Sequence, residues 1–102
     1  MAVAFIQEFK IDGDDRSTTN YDTINERLNT RNDPPEGGIV HTAGFDEDAG
    51  VFRIFDVWET REQGERFMNE RLMPIVQELM ANNPSATPPA REAWYELHDL
   101  MT

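Results

Sequence analysis

Two histidines, His41 and His98, and no cysteine set the limits of the chemistry open to this 102-residue chain. Imidazole is the side chain whose unperturbed pKa suits proton transfer near neutral pH, which makes His41 the first candidate general base. It lies in an apolar run, residues 39–45, with Ile39 and Ala43 expected on its face of a strand. A strand histidine in such company also serves as a packed, hydrogen-bonded structural residue, and both readings stand. Asp56 lies in a second apolar run, residues 51–58, on the face of Ile54 and Trp58. A carboxylate there needs a partner. Counting back from the intervening turn puts it within a residue or two of register with His41, with the faces left open. A His–Asp pair would orient the ring and stabilise its cation, in a catalytic site or in a purely structural one.

Around these two, Trp58, Phe55, Phe67, Met68 and Tyr21 can line an apolar cavity between sheet and helices that takes a flat hydrophobic ligand. The same residue types at the same periods also fill ordinary cores. Arg53 reads as a ligand-carboxylate contact or, more simply, as half of a surface or intersubunit ion pair. His98 shares a face of the last strand with Trp94 and Glu96 and reads as an edge or interface residue. The absence of cysteine removes disulfides, thiolate nucleophiles and thiolate metal sites. Two scattered histidines make no clustered metal site. The expected catalytic pair is therefore His41 and Asp56, and the expected substrate-binding residues are Trp58, Phe55, Phe67 and Tyr21. No metal and no cofactor is expected.

Six elements must position these groups. Residues 2–11 alternate as a first strand, with Val3, Phe5, Gln7 and Phe9 on one face and Ala4, Ile6 and Glu8 on the other. Thr18 or Thr19 can cap a first helix whose Tyr21, Ile24 and Leu28 share a face. Pro34, Pro35 and the pair Gly37-Gly38 place a loop over residues 29–38. The runs 39–45 and 51–58 form a hairpin around Asp46-Glu-Asp-Ala-Gly50. Thr60 to Gln63 is a capping box, with Gln63 expected to reach back to the cap residue. The long helix that follows presents Phe67, Met68, Leu72, Ile75, Val76 and Leu79 inward. Glu62–Arg66 and Arg66–Glu70 are spaced as weak pairs on its wet side. Pro74 predicts a kink, or a restart with the proline in the first turn of a second segment. A Pro-rich loop over 82–89 leads to a last strand over 93–101.

Composition narrows the class. The chain is expected to form a single domain over 1–102, because two halves would each have too little core. A net charge of -11 with nine Lys and Arg argues against nucleic acid as a partner. The apolar start is cut short by Gln7 and Glu8 and lacks a basic leader, and no run approaches the roughly 20 residues of a membrane span. A cytoplasmic protein with no membrane partner is the expectation.

Both faces of the central strands are apolar: Phe52, Ile54 and Trp58 on one side, Val51, Phe55 and Val57 on the other. Two helices cover one face of a sheet, so the other needs a cover. The βαββαβ order, with Gly37-Gly-Ile-Val-His-Thr-Ala-Gly-Phe, Phe55-Asp-Val-Trp-Glu-Thr-Arg-Glu and Arg66-Phe-Met-Asn-Glu-Arg-Leu-Met-Pro, resembles the dimeric α/β-barrel superfamily. It is similar in layout to antibiotic-biosynthesis-type monooxygenases, in which an aromatic ending the third strand precedes an acidic residue and a helix cap, here Trp58-Glu59-Thr60. The resemblance implies an α+β, ferredoxin-like antiparallel sheet with helices on one face, paired sheet to sheet with a second copy as a homodimer. It also implies a cofactor-independent monooxygenase or isomerase acting on a small hydrophobic or aromatic molecule. The alternative is a non-catalytic ligand-binding or structural dimer. The haem-degrading relatives match at Trp58, and loosely at Gln7, but they use a histidine on the second helix, and residues 60–81 contain none.

Overall fold

Residues 2–82 and 88–102 are described by the computed structural model, so most of the loop expected over 82–89 lies outside the described residues. Alternating side chains build β1 (Val3–Lys10), which pairs antiparallel with β3 (Val51–Trp58) on one side and β4 (Arg91–Glu96) on the other. β2 (Gly38–Asp46) flanks β3, giving the sheet order β2-β3-β1-β4. This is the α+β, ferredoxin-like βαββαβ arrangement, with α1 (Thr19–Leu28) after β1 and a longer helical segment after β3.

That longer segment is not one regular helix. Thr60 accepts a hydrogen bond from the Gln63 backbone N–H and starts α2 (Arg61–Phe67). The Gln63 side chain accepts the Thr60 hydroxyl at 3.1 Å instead of reaching the cap backbone. A π turn over Met68–Leu72 follows, and α3 (Met73–Asn82) continues from it without a break in helical backbone, with Pro74, which has no N–H to donate, placed just past the widened turn. Arg71, in the π turn, donates to the Leu28 and Asp33 carbonyls at 2.9 and 3.1 Å and so ties this turn to the end of α1. On the wet side Arg66 pairs with Glu62, and Arg61 pairs with Glu65.

The helices cover one face of the sheet. Phe67 and Met68 pack against the buried cluster Val3, Phe5 and Trp58, with Trp94 stacked on Phe5 at 4.2 Å. Each such fully buried side chain contributes about 1.5–3 kcal/mol. Gly64 is the point of closest approach. A Cβ there would lie 2.7 Å from the Trp94 ring and 3.0 Å from that of Trp58.

The opposite face is apolar at one end, where Ala4, Ile6 and Val57 are buried, and ionic at the other. Glu8, only 9% exposed, accepts from Arg53 at 2.6 Å and Arg91 at 3.3 Å, while Arg53 also donates to Asp46 at 2.8 Å. Arg53 thus spends its donors on carboxylates of its own chain.

β4 ends at Glu96, short of the expected 101. Its last ladder partner among the described residues is Val3, and beyond that pair the Leu97 N–H bonds to the Ala2 carbonyl. His98 therefore sits past the strand, exposed, at the sheet edge opposite β2.

Candidate functional site

The register of the central hairpin decides the site. Asp46 pairs with Val51 at the turn, and counting back along the ladder sets Phe45 opposite Phe52, Ala43 opposite Ile54 and His41 opposite Asp56. Directly paired residues project to the same face, so His41 and Asp56 meet. Between Val40 and Gly38 the register shifts, which leaves Ile39 as an extra residue in β2. Ile39 is thus taken out of the alternation that had placed it beside His41. Across the sheet Asp56 pairs with Phe5, and Phe5 with Trp94, so Trp94, Phe5, Asp56 and His41 form one row beneath the helices.

His41 Nδ1 and Asp56 Oδ1 are 2.5 Å apart. An ionised carboxylate only accepts, so Nδ1 carries the hydrogen and donates it. The other ring nitrogen, Nε2, lies 2.7 Å from the Tyr21 hydroxyl. In the neutral ring Nε2 holds a lone pair, and Tyr21 donates to it. α1 supplies this tyrosine, whose ring runs nearly parallel to the imidazole (6° between planes) and meets the Phe52 ring edge to face at 5.6 Å.

The electrostatics follow from this chain. The Asp56 hydrogen bond, reinforced by its charge, raises the His41 pKa above the ordinary histidine value, and burial opposes that rise only in part. Burial raises the Tyr21 pKa, and the Asp56 charge adds to it, so the phenol is neutral across the physiological range. The Asp56 side chain is 18% exposed and that of His41 47%, so the chain runs from a sheltered carboxylate to an accessible ring. It is a linear path along which one proton can move: phenol, imidazole, carboxylate.

Of the remaining site candidates, Trp58 and Phe67 lie on the same face and pack on each other with ring centroids 5.3 Å apart. Trp58 is 4% exposed, and its indole N–H meets no acceptor among the described residues. Phe55 does not join them. It pairs with Ile6 and Thr42 and faces away from the helices, because it is one residue out of phase with Asp56. Gln7, on the helix side, donates to Glu92 at 3.2 Å. Among the described residues no three His, Cys, Asp or Glu side chains converge to hold a metal, and no helix is long and apolar enough to cross a membrane.

Two surface depressions lie elsewhere. One of about 240 Å³ is lined by Thr42, Gly44, Arg53 and Phe55 among others. The other, about 160 Å³, lies between Pro35 and the α2 residues Gln63, Arg66 and Phe67. Sequence reasoning missed the contact between Tyr21 and His41, which depends on where α1 lands, and the Glu8–Arg53–Arg91 cluster. The latter left a signal, since Glu8 falls on an apolar strand face.

No family model and no curated protein matches the chain. Solved structures do. SnoaB from Streptomyces nogalater, described as a cofactor-independent oxygenase, is 14% identical with a TM-score of 0.64, the match covering 98% of this chain and 96% of that one. Rv0793 from Mycobacterium tuberculosis is 16% identical with a TM-score of 0.66, over the whole of both chains. The chain shares their fold. A Chloroflexus aurantiacus protein assigned to the antibiotic biosynthesis monooxygenases matches in the same way, at 15% identity and a TM-score of 0.62, covering 100% of this chain and 98% of that one. In architecture the chain thus resembles antibiotic-biosynthesis-type monooxygenases and uncharacterised bacterial proteins of the same fold. At these identities the likeness extends to the fold alone.

Proposed function

We propose that this chain forms a homodimer that abstracts a proton from a small hydrophobic or aromatic molecule, as a cofactor-independent monooxygenase or an isomerase. The observation that carries this reading is the chain of hydrogen bonds from Tyr21 through His41 to Asp56. A carboxylate behind an imidazole stabilises the imidazolium formed when the ring takes up a proton, and so strengthens it as a base. The substrate carbanion then has two fates that balance. It reacts with molecular oxygen, or it is reprotonated at another carbon, which is an isomerisation. The oxygenase named among the proteins of this fold favours the first by analogy. Tyr21 and Phe52 supply aromatic surface beside the chain, and Trp58 and Phe67 lie further along the same face.

The face away from the helices supports the homodimer. Ala4, Ile6 and Val57 are buried there within the chain itself, but Phe55 is only half-buried and Tyr95, paired with Ala4, is 46% exposed, and a second copy packed sheet to sheet is the cover proposed for them. Sedimentation as a monomer at micromolar concentration would remove this part of the proposal.

The test of activity uses an anthrone, whose C10–H is weakly acidic and whose carbanion consumes oxygen to give the anthraquinone and water. Oxygen uptake above the buffer rate, without added metal or cofactor and lost in His41→Ala, is expected. Equal uptake by wild type and variant, both folded, removes the assignment.

A second reading rests on a specific observation. Trp58 is packed tightly between Gly64 and Phe67, and neither depression borders His41. A non-catalytic ligand-binding or structural dimer, in which Tyr21, His41 and Asp56 satisfy one another, accounts for that packing equally.

A further inference from the structure

Both ring nitrogens of His41 are engaged, Nδ1 by Asp56 and Nε2 by Tyr21, so neither faces an incoming molecule directly. The Tyr21 oxygen gives its single hydrogen to Nε2 and keeps lone pairs that no described neighbour takes in the hydrogen bonds of the structure. We infer that Tyr21, not His41, is the residue that meets the substrate, and that His41 acts through it. This rests on the proton-abstraction reading given above, and it reverses the roles of the two residues within it.

The step balances without any further reagent. The phenolic oxygen takes the substrate proton while its own hydrogen passes to Nε2, and the imidazolium that results is held by Asp56. The electron pair of the broken C–H bond stays on the substrate as an enolate or phenolate. In this protonated state the hydrogen bond inverts: Nε2–H donates to the tyrosine oxygen, and the phenolic hydrogen is free to be donated outward. One site therefore removes a proton in its neutral state and returns one in its charged state. Carbonyl compounds with an acidic C–H suit it best, since they need a base at carbon and an acid at oxygen.

A bare phenol would be a poor choice for a base, because burial and the Asp56 charge oppose its ionisation. The relay avoids that obstacle, because the tyrosine passes through no free phenolate. The charged and titratable groups acting on the phenol are His41 and Asp56 from the sheet, Asp22 on α1 and Arg31 beyond its end.

The test uses 5-nitrobenzisoxazole, which opens to a coloured nitrophenolate when a base removes its ring C–H proton and the N–O bond breaks. Wild type, Tyr21→Phe, His41→Asn and Tyr21→Phe/His41→Asn are compared, with thermal unfolding of each. The expected result is a wild-type rate lowered by roughly a hundredfold in kcat in both single variants and no further in the double variant. The wild-type pH profile should rise through the His41 titration, and that inflection should be missing from Tyr21→Phe even though His41 is present. A Tyr21→Phe variant that keeps or raises the rate while His41→Asn loses it shows that Nε2 meets the probe directly. That result overturns the inference and leaves the proton-abstraction reading standing. A wild-type rate no higher than that of the double variant overturns the reading itself, and the inference with it.

Discussion

Substituting Gly64 by alanine sets two opposed effects against each other, and the structure says which wins. Gly64 lies inside α2, where alanine is favoured over glycine by about 1 kcal/mol. Against that, the added methyl would stand 2.7 Å from the Trp94 ring and 3.0 Å from two atoms of the Trp58 ring. Carbon atoms sit comfortably at about 3.5–4 Å, so the helix or both indoles must retreat by roughly 0.5–1 Å. Neither ring yields easily. Trp94 is stacked on the buried Phe5, and Trp58 is packed against Phe67. Overpacking of a tight core costs about 1–3 kcal/mol, and two rigid neighbours place this site at the upper end. The net expectation is a loss of about 2 kcal/mol after the helical gain. Urea unfolding followed by tryptophan fluorescence measures it, as a lower midpoint with an unchanged slope. Because the added methyl meets the Trp94 and Trp58 rings and neither Asp56 nor His41, the titration of His41 should stay as in wild type. A neutral or stabilised Gly64→Ala protein would refute the packing argument and show that α2 does not press on the sheet at this point.

Three further outcomes follow from the same structure. Arg71→Ala should cost about 2 kcal/mol in denaturant unfolding, because two carbonyls at the end of α1 and its loop lose a charged donor; Arg71→Lys should recover part of this. His41 has a folded pKa raised above its unfolded one, so its contribution to stability is fully present below about pH 6.5 and fades as pH rises through the folded value; the stability difference between wild type and His41→Asn should shrink over that window. Glu8 shows the opposite sign: Arg53 and Arg91 hold its carboxyl below the ordinary range, so its contribution is present above the unfolded pKa and lost as pH falls through the folded one. Glu8→Gln should accordingly flatten the acid limb of a stability-against-pH curve, and an unchanged limb would show that the cluster contributes nothing.

Much of the architecture was legible because it depends on local patterns. Alternation in β1 and β3, the prolines before β2 and the Thr60 cap each act within a few residues, and together they place the strands in order. The His41–Asp56 pairing was legible in principle: once the turn closes Asp46 on Val51, whole-number counting fixes the partner. What hid it was the turn itself: the run Asp46-Glu-Asp-Ala-Gly50 does not say in advance which pair closes it, and a shift of one there changes the face. Phe55 was misplaced among the site residues for the same kind of reason, since a shift of one in a strand is a change of face. The limits of β4 follow its ladder with β1, whose last described pair is Val3 with Glu96, a property of the pairing rather than of the segment alone. The π turn before Pro74 and the landing of Tyr21 on His41 are tertiary outcomes. Arg71 docks the π turn against the end of α1, and no periodicity announces that contact.

Nitrogen NMR of His41 tests the Tyr21–His41–Asp56 chain most directly. In wild type the neutral ring should carry its proton on Nδ1, with a pKa above the ordinary histidine value of 6.5. Asp56→Asn should bring that pKa down, and Tyr21→Phe should shift the Nε2 resonance while leaving the Nδ1 proton in place. A neutral ring protonated on Nε2, or a pKa at the ordinary value and indifferent to Asp56→Asn, would contradict the chain and every functional claim built on it.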